Sequence, residues 1–233
     1  AGTAISGATS STYALVQADV GSAITVSVSF TDDYSNPETA TSSATSAVGN
    51  TNDDPTGSVT ISGTAAEDST LTASNDLADE DGIGSITYTW STGATGSTLL
   101  LTQSHVGSAI TVTASYIDAY TYSESVTSSA TAAVANVEDA PIIGSTAGTA
   151  VNEDSPYSYS ISASDEDGDT LAITSTSVSW LTLSDAGDGT ATLSGTPDDG
   201  DVGSHSVTIT VTDNSASTLT DTETFTIVVT NTN

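Results

Sequence analysis

The sequence repeats itself with an offset of 86 residues. The run VGSAITV at 20–26 returns at 106–112, and TSSAT at 41–45 returns at 127–131. Residues 5–55 align with 91–141 without a gap, and 28 of the 51 aligned positions are identical. A fixed period of this kind indicates that each copy is one structural unit, so the chain is expected to fold as a row of similar modules.

The repeat divides the chain into three modules: 1–52, 53–138 and 139–233. The first two end alike, in NTNDDP and NVEDAP, and the sequence ends in NTN. The first module corresponds only to the portion of the second that lies after Trp90. We expect either that the polypeptide continues upstream of it or that another chain supplies the missing strands.

Apolar residues alternate with serine and threonine, which is the pattern of a half-buried β-strand. In 22–30 the apolar side chains share one face, and 207–212 repeats the pattern. Turn signals recur every 8–12 residues, and no segment has helical spacing, so we predict all-β modules of the β-sandwich type. Six strands are predicted in module two: 57–63, 71–76, 85–90, 97–102, 108–116 and 125–134. Trp90 and Trp180 are expected to fill the sandwich cores.

The charged residues all have one sign. The chain has 30 aspartates and glutamates, no lysine, no arginine and no cysteine. Without basic residues it cannot neutralise phosphates, so nucleic-acid binding is excluded. It also lacks a polybasic segment and a long apolar run, so membrane insertion is not expected. Without cysteine there is neither a thiol nucleophile nor a disulfide.

Catalysis is not expected either. Paired carboxylates can hydrolyse glycosides, and serine and histidine can form a triad. Here, however, the acids lie in repeated turns instead of one unique cleft, and repetition at a fixed period is typical of a structural role. We therefore predict that the protein is not an enzyme.

Module three carries the D-x-D-G-D loop at 165–169, the pair Trp180-Leu181, the turn SGTP at 194–197 and VTD at 211–213. These elements resemble the dystroglycan-type cadherin-like and immunoglobulin-like repeats of large bacterial surface adhesins. The YTW, VGSAITV and TSSAT runs of the first two modules are similar to a related repeat of such proteins. The resemblance implies tandem immunoglobulin/cadherin-like β-sandwiches in an extracellular, cell-surface protein.

The acidic loops are similar in layout to the calcium junctions of cadherins, in which the next module's D-x-D loop clasps an acidic linker. The resemblance implies Ca²⁺ ligands at two junctions. The first would collect Asp19, Asn52, Asp53, Asp79, Asp81 and Asp118. The second would collect Glu67, Asn136, Glu138, Asp139, Asp165, Asp167 and Asp213, with Asp169 in the same acidic loop of module three.

Charge repulsion supports a bound cation. Two carboxylates 5 Å apart repel by roughly 3 kcal/mol at an effective dielectric constant of 20, and no basic side chain relieves this. Calcium takes six to eight oxygen ligands, whereas magnesium demands stricter geometry. Solvated acidic turns remain the alternative, because aspartate is common in turns. His105 replaces the Asp19 position at the second junction, which weakens the analogy there.

We predict a structural segment of a long adhesin or surface fibre, stiffened by calcium and in contact with neighbouring modules or other copies. One alternative is that the chain is a subunit of a self-assembling filament, in which strands from a neighbouring copy complete the first module. The other is a glycan- or protein-binding module, for which Tyr116, Tyr120 and Tyr122 are the candidate contacts, unless they pack at strand ends.

Overall fold

The computed structural model describes residues 3–232, which contain β-strands and three short 3-10 turns but no α-helix. None of these turns has the length or the hydropathy to cross a membrane. The chain divides into two compact units. The first comprises the described residues up to Ala65 with Ser69–Leu101 and Ser108–Val134; the second comprises Ala66–Asp68, Thr102–Gly107 and the described residues from Ala135 onward.

The first unit contains one hairpin and two three-stranded antiparallel sheets. Its strands are β1 (Ser27–Thr31), β2 (Pro37–Thr41), β3 (Val59–Ser62), β4 (Thr70–Asn75), β5 (Thr87–Trp90), β6 (Thr98–Leu100), β7 (Val112–Ile117) and β8 (Ser123–Thr127). β1 pairs only with β2, whereas the sheets of module two have the orders β3-β4-β6 and β5-β7-β8. Leu71, Trp90, Leu101, Ile110 and Val112 are fully buried in module two.

The second unit contains two four-stranded sheets. Its strands are β9 (Ile142–Ile143), β10 (Ala150–Asn152), β11 (Tyr157–Ser164), β12 (Ala172–Ser175), β13 (Leu181–Asp185), β14 (Thr190–Gly195), β15 (Gly203–Thr212) and β16 (Thr220–Thr230). The orders are β13-β14-β11-β9 and β10-β16-β15-β12, with β10 parallel to β16. The inner residues of both sheets form one apolar cluster. The predicted all-β, immunoglobulin/cadherin-like sandwich fold is confirmed.

Alternation along the strands follows the prediction. Val207, Ile209 and Val211 of β15 are fully buried, while the threonines between them face outward. Trp90 is buried, and its indole Nε1 donates to the Gly96 carbonyl at 2.9 Å, so the predicted core role is confirmed. Trp180 is only half-buried and lies edge-on to Tyr157, with 5.9 Å between ring centroids.

The strand predicted for 125–134 is wrong in its extent, because β8 ends at Thr127. The TSSAT motif interrupts the ladder: the Ser128 hydroxyl accepts from the Val112 amide at 3.1 Å, and the Thr131 hydroxyl accepts from the Ile110 amide at 3.0 Å. Side-chain oxygens thus replace carbonyl acceptors where the backbone leaves the sheet. Module one repeats both bonds, from Val26 to Ser42 and from Ile24 to Thr45.

Candidate metal centre

Three carboxylates of module three converge at one end of its sandwich. Asp165 directly follows β11, Asp169 closes the D-x-D-G-D loop, and Asp213 directly follows β15. Each contributes a carboxylate oxygen, and these oxygens all lie within 4.8 Å of one another. The strands that deliver them belong to opposite sheets of the sandwich, so the fold itself brings these acids together.

Two oxygens of this group are buried without a hydrogen-bond donor: Oδ2 of Asp165 and Oδ2 of Asp213. The other oxygen of Asp213, Oδ1, accepts three hydrogen bonds, from the Ser215 amide and hydroxyl and from the Leu219 amide, at 2.9–3.1 Å. Burial, and then the charges of Asp165, Asp213 and Asp167, raise the pKa of Asp169 above its usual range. A group of acids with two buried oxygens that lack donors is a favourable environment for a cation.

Two acids of the group, Asp165 and Asp169, also help to line an open cleft of about 370 Å³, together with Gly168, Leu171 and Asp188. The Asp188 carboxylate is held by Thr190, whose hydroxyl donates to it at 2.6 Å. Backbone carbonyls and water in such a cleft could complete the six to eight oxygens that calcium requires.

A second acidic group, also in the second unit, consists of Glu67, Asp139 and Asp167. Both oxygens of Asp167 have donors: Nε2 of Gln103 at 3.1 Å and the Asp139 amide at 2.8 Å. Burial is the main cause that raises the pKa of Glu67 and of Asp139, and mutual repulsion among the acids adds to it. The residues predicted for the second junction therefore lie in two groups. Asp165 and Asp213 belong to the group with Asp169, whereas Asp167 belongs to the group with Glu67 and Asp139.

The first junction repeats these contacts 86 residues earlier. Asp81 accepts from Nε2 of Gln17 at 2.6 Å and from the Asp53 amide at 2.9 Å. Amide groups thus donate to one carboxylate at each junction, Asp81 at the first and Asp167 at the second. Gln17 and Gln103 were not among the predicted residues, although their identity across the 86-residue offset was a usable signal.

Asp19 closes a 3-10 turn in the first unit. Its Oδ2 accepts from the Val16 amide at 3.0 Å and from the Tyr13 hydroxyl at 2.9 Å. At the equivalent turn, His105 Nδ1 accepts from the Thr102 amide at 3.0 Å. The exchange of aspartate for histidine therefore preserves an acceptor for the backbone amide at this turn.

Asp79 and Asp118 have protein partners in module two. Asp79 accepts from the Tyr116 hydroxyl at 2.6 Å. Asp118 holds its loop through the Tyr120 and Tyr122 amides, both at 2.8 Å, and keeps one buried oxygen without a donor. Within residues 3–232, the acids predicted for the first junction do not form a group of three.

The remaining predicted ligands are not acids of either group. Asn52 donates through Nδ2 to Glu124 at 2.9 Å and leaves its Oδ1 buried without a donor, and Asn136 and Glu138 are exposed. As for the tyrosine cluster, Tyr116 is buried, and only Tyr120 and Tyr122 are exposed. Two exposed rings remain as candidate contacts for a glycan.

Comparisons with known proteins agree with the fold. A family model described as "Putative Ig domain" matches residues 140–230. No curated protein matches the chain.

Several solved structures are similar at low identity. The SrpA adhesin from Streptococcus sanguinis is 15% identical with a TM-score of 0.34, and the alignment covers 41% of this chain and 59% of the adhesin. The endo-fucoidan hydrolase MfFcnA4, from glycoside hydrolase family 107, is 20% identical with a TM-score of 0.36, and the alignment covers 91% of this chain and 34% of the hydrolase. The extracellular cadherin domains 1–5 of protocadherin gamma B2 are 16% identical with a TM-score of 0.40, and the alignment covers 89% of this chain and 45% of the protocadherin chain.

The chain therefore spans between about a third and three fifths of the length of these structures. The fold class rests on the sheets of the chain itself and on the family match, which covers nearly the whole of module three. Residues 140–230 are similar to the immunoglobulin-domain family, and modules two and three of the chain are all-β and sandwich-like.

Proposed function

We propose that the chain is a structural segment of an extracellular surface protein of the adhesin type and that its third module binds calcium through Asp165, Asp169 and Asp213. The observation that carries this proposal is the pair of buried carboxylate oxygens without donors in a group of three acids. A chain without lysine or arginine has no permanently positive side chain that could neutralise them. A divalent cation is the simplest counter-charge.

The group of Glu67, Asp139 and Asp167 is a weaker candidate within the same proposal. Donors already satisfy Asp167, so a cation there would have to share its oxygens with Gln103 and the Asp139 amide. We expect this group to bind later in a titration than the group in the D-x-D-G-D loop.

Calorimetric titration of the chelated protein with Ca²⁺ tests the proposal. We expect at least one site with a dissociation constant on the order of 0.1–1 mM, the range of extracellular calcium modules, and weaker binding of Mg²⁺. Asp169→Asn should abolish the tighter site, because it removes one of the three carboxylates. Asp169 is preferred to Asp213 for this variant because its carboxylate makes fewer hydrogen bonds to its own loop. The exposed Asp33→Asn is the matched control and should leave binding unchanged. Equal binding by the Asp169→Asn variant and the parent would refute the assignment.

A further inference from the structure

Module one exposes the side chains that module two buries. Leu15, Val26 and Phe30 have exposed fractions of 56%, 61% and 54%, whereas their counterparts 86 residues later, Leu101, Val112 and Tyr116, have fractions of 0%, 0% and 4%. Val28, whose counterpart is the fully buried Ala114, is also exposed. The same repeat positions thus form a core in one module and a solvent-facing apolar surface in the other, and contiguous exposed apolar surfaces mark interaction sites.

The hairpin itself is already formed in module one. β1 pairs with β2 in the register that β7 and β8 use, with Ser27 opposite Thr41 as Thr113 is opposite Thr127. The TSSAT hydroxyl bonds to the strand amides are also repeated. Only the elements that cover β7 in module two lack counterparts.

Those elements are β3, β4 and β5. β5 pairs with the edge of β7 that β8 does not occupy, with Trp90 opposite Val112. The sheet of β3, β4 and β6 supplies the opposite layer. The counterpart of β6, residues 12–14, is not a strand, because its pairing partner β4 has no counterpart in module one. Within the described residues 3–52, module one therefore has neither a second edge partner for β1 nor a facing layer.

We propose that the occupant of this surface is a polypeptide segment of the kind formed by residues 57–90. It would add a strand to the free edge of β1, with its tryptophan opposite Val26, and would place two further strands over Val28 and Phe30. β-Strand addition supplies main-chain hydrogen bonds at the edge, and apolar burial supplies the stability.

A second copy of residues 1–233 does not meet this requirement. Its own segment 57–90 is engaged in module two, where Leu71 and Trp90 are buried, and its release would open that sandwich. One such segment cannot cover two hairpins, so the occupant is an additional segment with the same strand pattern. Occupation of this surface does not depend on calcium binding.

A fusion tests the inference. Residues 53–90 are joined directly to Ile5, so that Trp90 precedes Ile5 as it precedes Ser91 in the native module. Hydrogen–deuterium exchange of 22–31 is then compared between the fusion and the parent chain. We expect protection of β1 amides to rise by a factor on the order of 100, because exchange would require opening of a packed module instead of an exposed hairpin.

Val26→Asp should abolish this gain in the fusion but leave exchange in the parent unchanged, because Val26 is exposed there. Thr25→Asp, on the opposite face, is the matched control and should keep the gain. Protected amides of module three report in the same spectra that the chain is folded. Unchanged exchange in the fusion overturns the proposal, and so does concentration-dependent protection of the parent, which would show that a second copy covers the surface.

Discussion

At the scale of single residues, small differences between the repeats decide which acids remain unpaired. The D-x-D-G loop of module two continues with Ile83, where module three has Asp169. Tyr116 donates to Asp79 in module two, whereas the equivalent residue of β15 is Val211, which has no hydroxyl. Module two thus gives Asp79 a protein donor and leaves one oxygen of this acidic group buried without a donor, on Asp118, whereas module three leaves two, on Asp165 and Asp213.

This difference between the modules predicts a gain of function. The double variant Ile83→Asp/Tyr116→Phe gives module two the acids of module three and removes the competing donor. Without calcium we expect it to lose about 1–3 kcal/mol of unfolding free energy, because Asp79 loses its partner. With calcium we expect most of this loss to be recovered and one additional site to appear in calorimetry. Denaturant unfolding with and without chelator measures both effects. Tyr122→Phe, at an exposed ring, is the control, and a loss that calcium does not reduce would contradict the prediction.

A second prediction at this scale concerns Tyr159. Its hydroxyl is bonded to Ser145 and Glu223, each at 2.8 Å, and burial together with the Glu223 charge raises its pKa to about 12. The folded state therefore favours the neutral phenol, so this stabilisation is complete below pH 10 and is lost as the pH rises through 12. Without lysine, arginine or cysteine, only tyrosines among the side chains titrate in this window.

Denaturation at a series of pH values between 9 and 12 checks this expectation. Tyr159→Phe should be less stable than the parent at pH 9, because Glu223 loses a donor, but its stability should fall less steeply above pH 10. Tyr34→Phe, at a side chain that is 88% exposed, should follow the parent curve. Parallel curves for Tyr159→Phe and the parent would contradict the assignment.

At the scale of elements, the TSSAT motif ends the strand by hydrogen bonding through its side chains. Ser128 is buried and accepts from the Val112 amide, which would otherwise lack an acceptor at the core of the sheet. We expect Ser128→Ala to cost about 1–3 kcal/mol of unfolding free energy, since it leaves a buried N–H unpaired. The exposed neighbour Ser129→Ala should change stability by less than about 0.5 kcal/mol. Chemical denaturation of the two variants provides the comparison, and equal stabilities would show that water replaces the hydroxyl.

Strand positions and the fold class could be predicted because alternation and repeat spacing are local signals. β3, β4 and β5 lie within or close to the predicted strands, and the buried face of β15 is the predicted one. The end of β8 was missed because alternation does not show that the Ser128 and Thr131 hydroxyls take over the ladder bonds.

The acidic groups were predicted only in part, for a related reason. Chain position brings Asp165 and Asp213 together, but it does not show whether a donor such as Tyr116 or Gln17 already occupies a given carboxylate. That occupancy depends on side chains that are distant in sequence, and neither turn signals nor spacing encode it.

At the scale of the whole molecule, the net charge of −30 opposes folding through self-repulsion, since the 233 residues contain no fixed positive side chain. Mobile cations are then the only counter-charges, and they act in two separable ways. Monovalent salt screens all exposed carboxylates over a Debye length of about 10 Å at 0.1 M, whereas a bound divalent ion neutralises one group of acids.

We therefore expect the melting temperature of the chelated protein to rise by a few degrees as sodium chloride increases from about 10 to 150 mM, through screening alone. About 1 mM Ca²⁺ should add a further increase at constant ionic strength, because ligation stabilises the folded state by mass action. Asp169→Asn should keep the sodium response and lose much of the calcium response. Calorimetric melting of both proteins across these conditions separates the two effects. A calcium response that matches sodium chloride of equal ionic strength would mean that the acids bind no specific ion and that the module is stabilised by screening only.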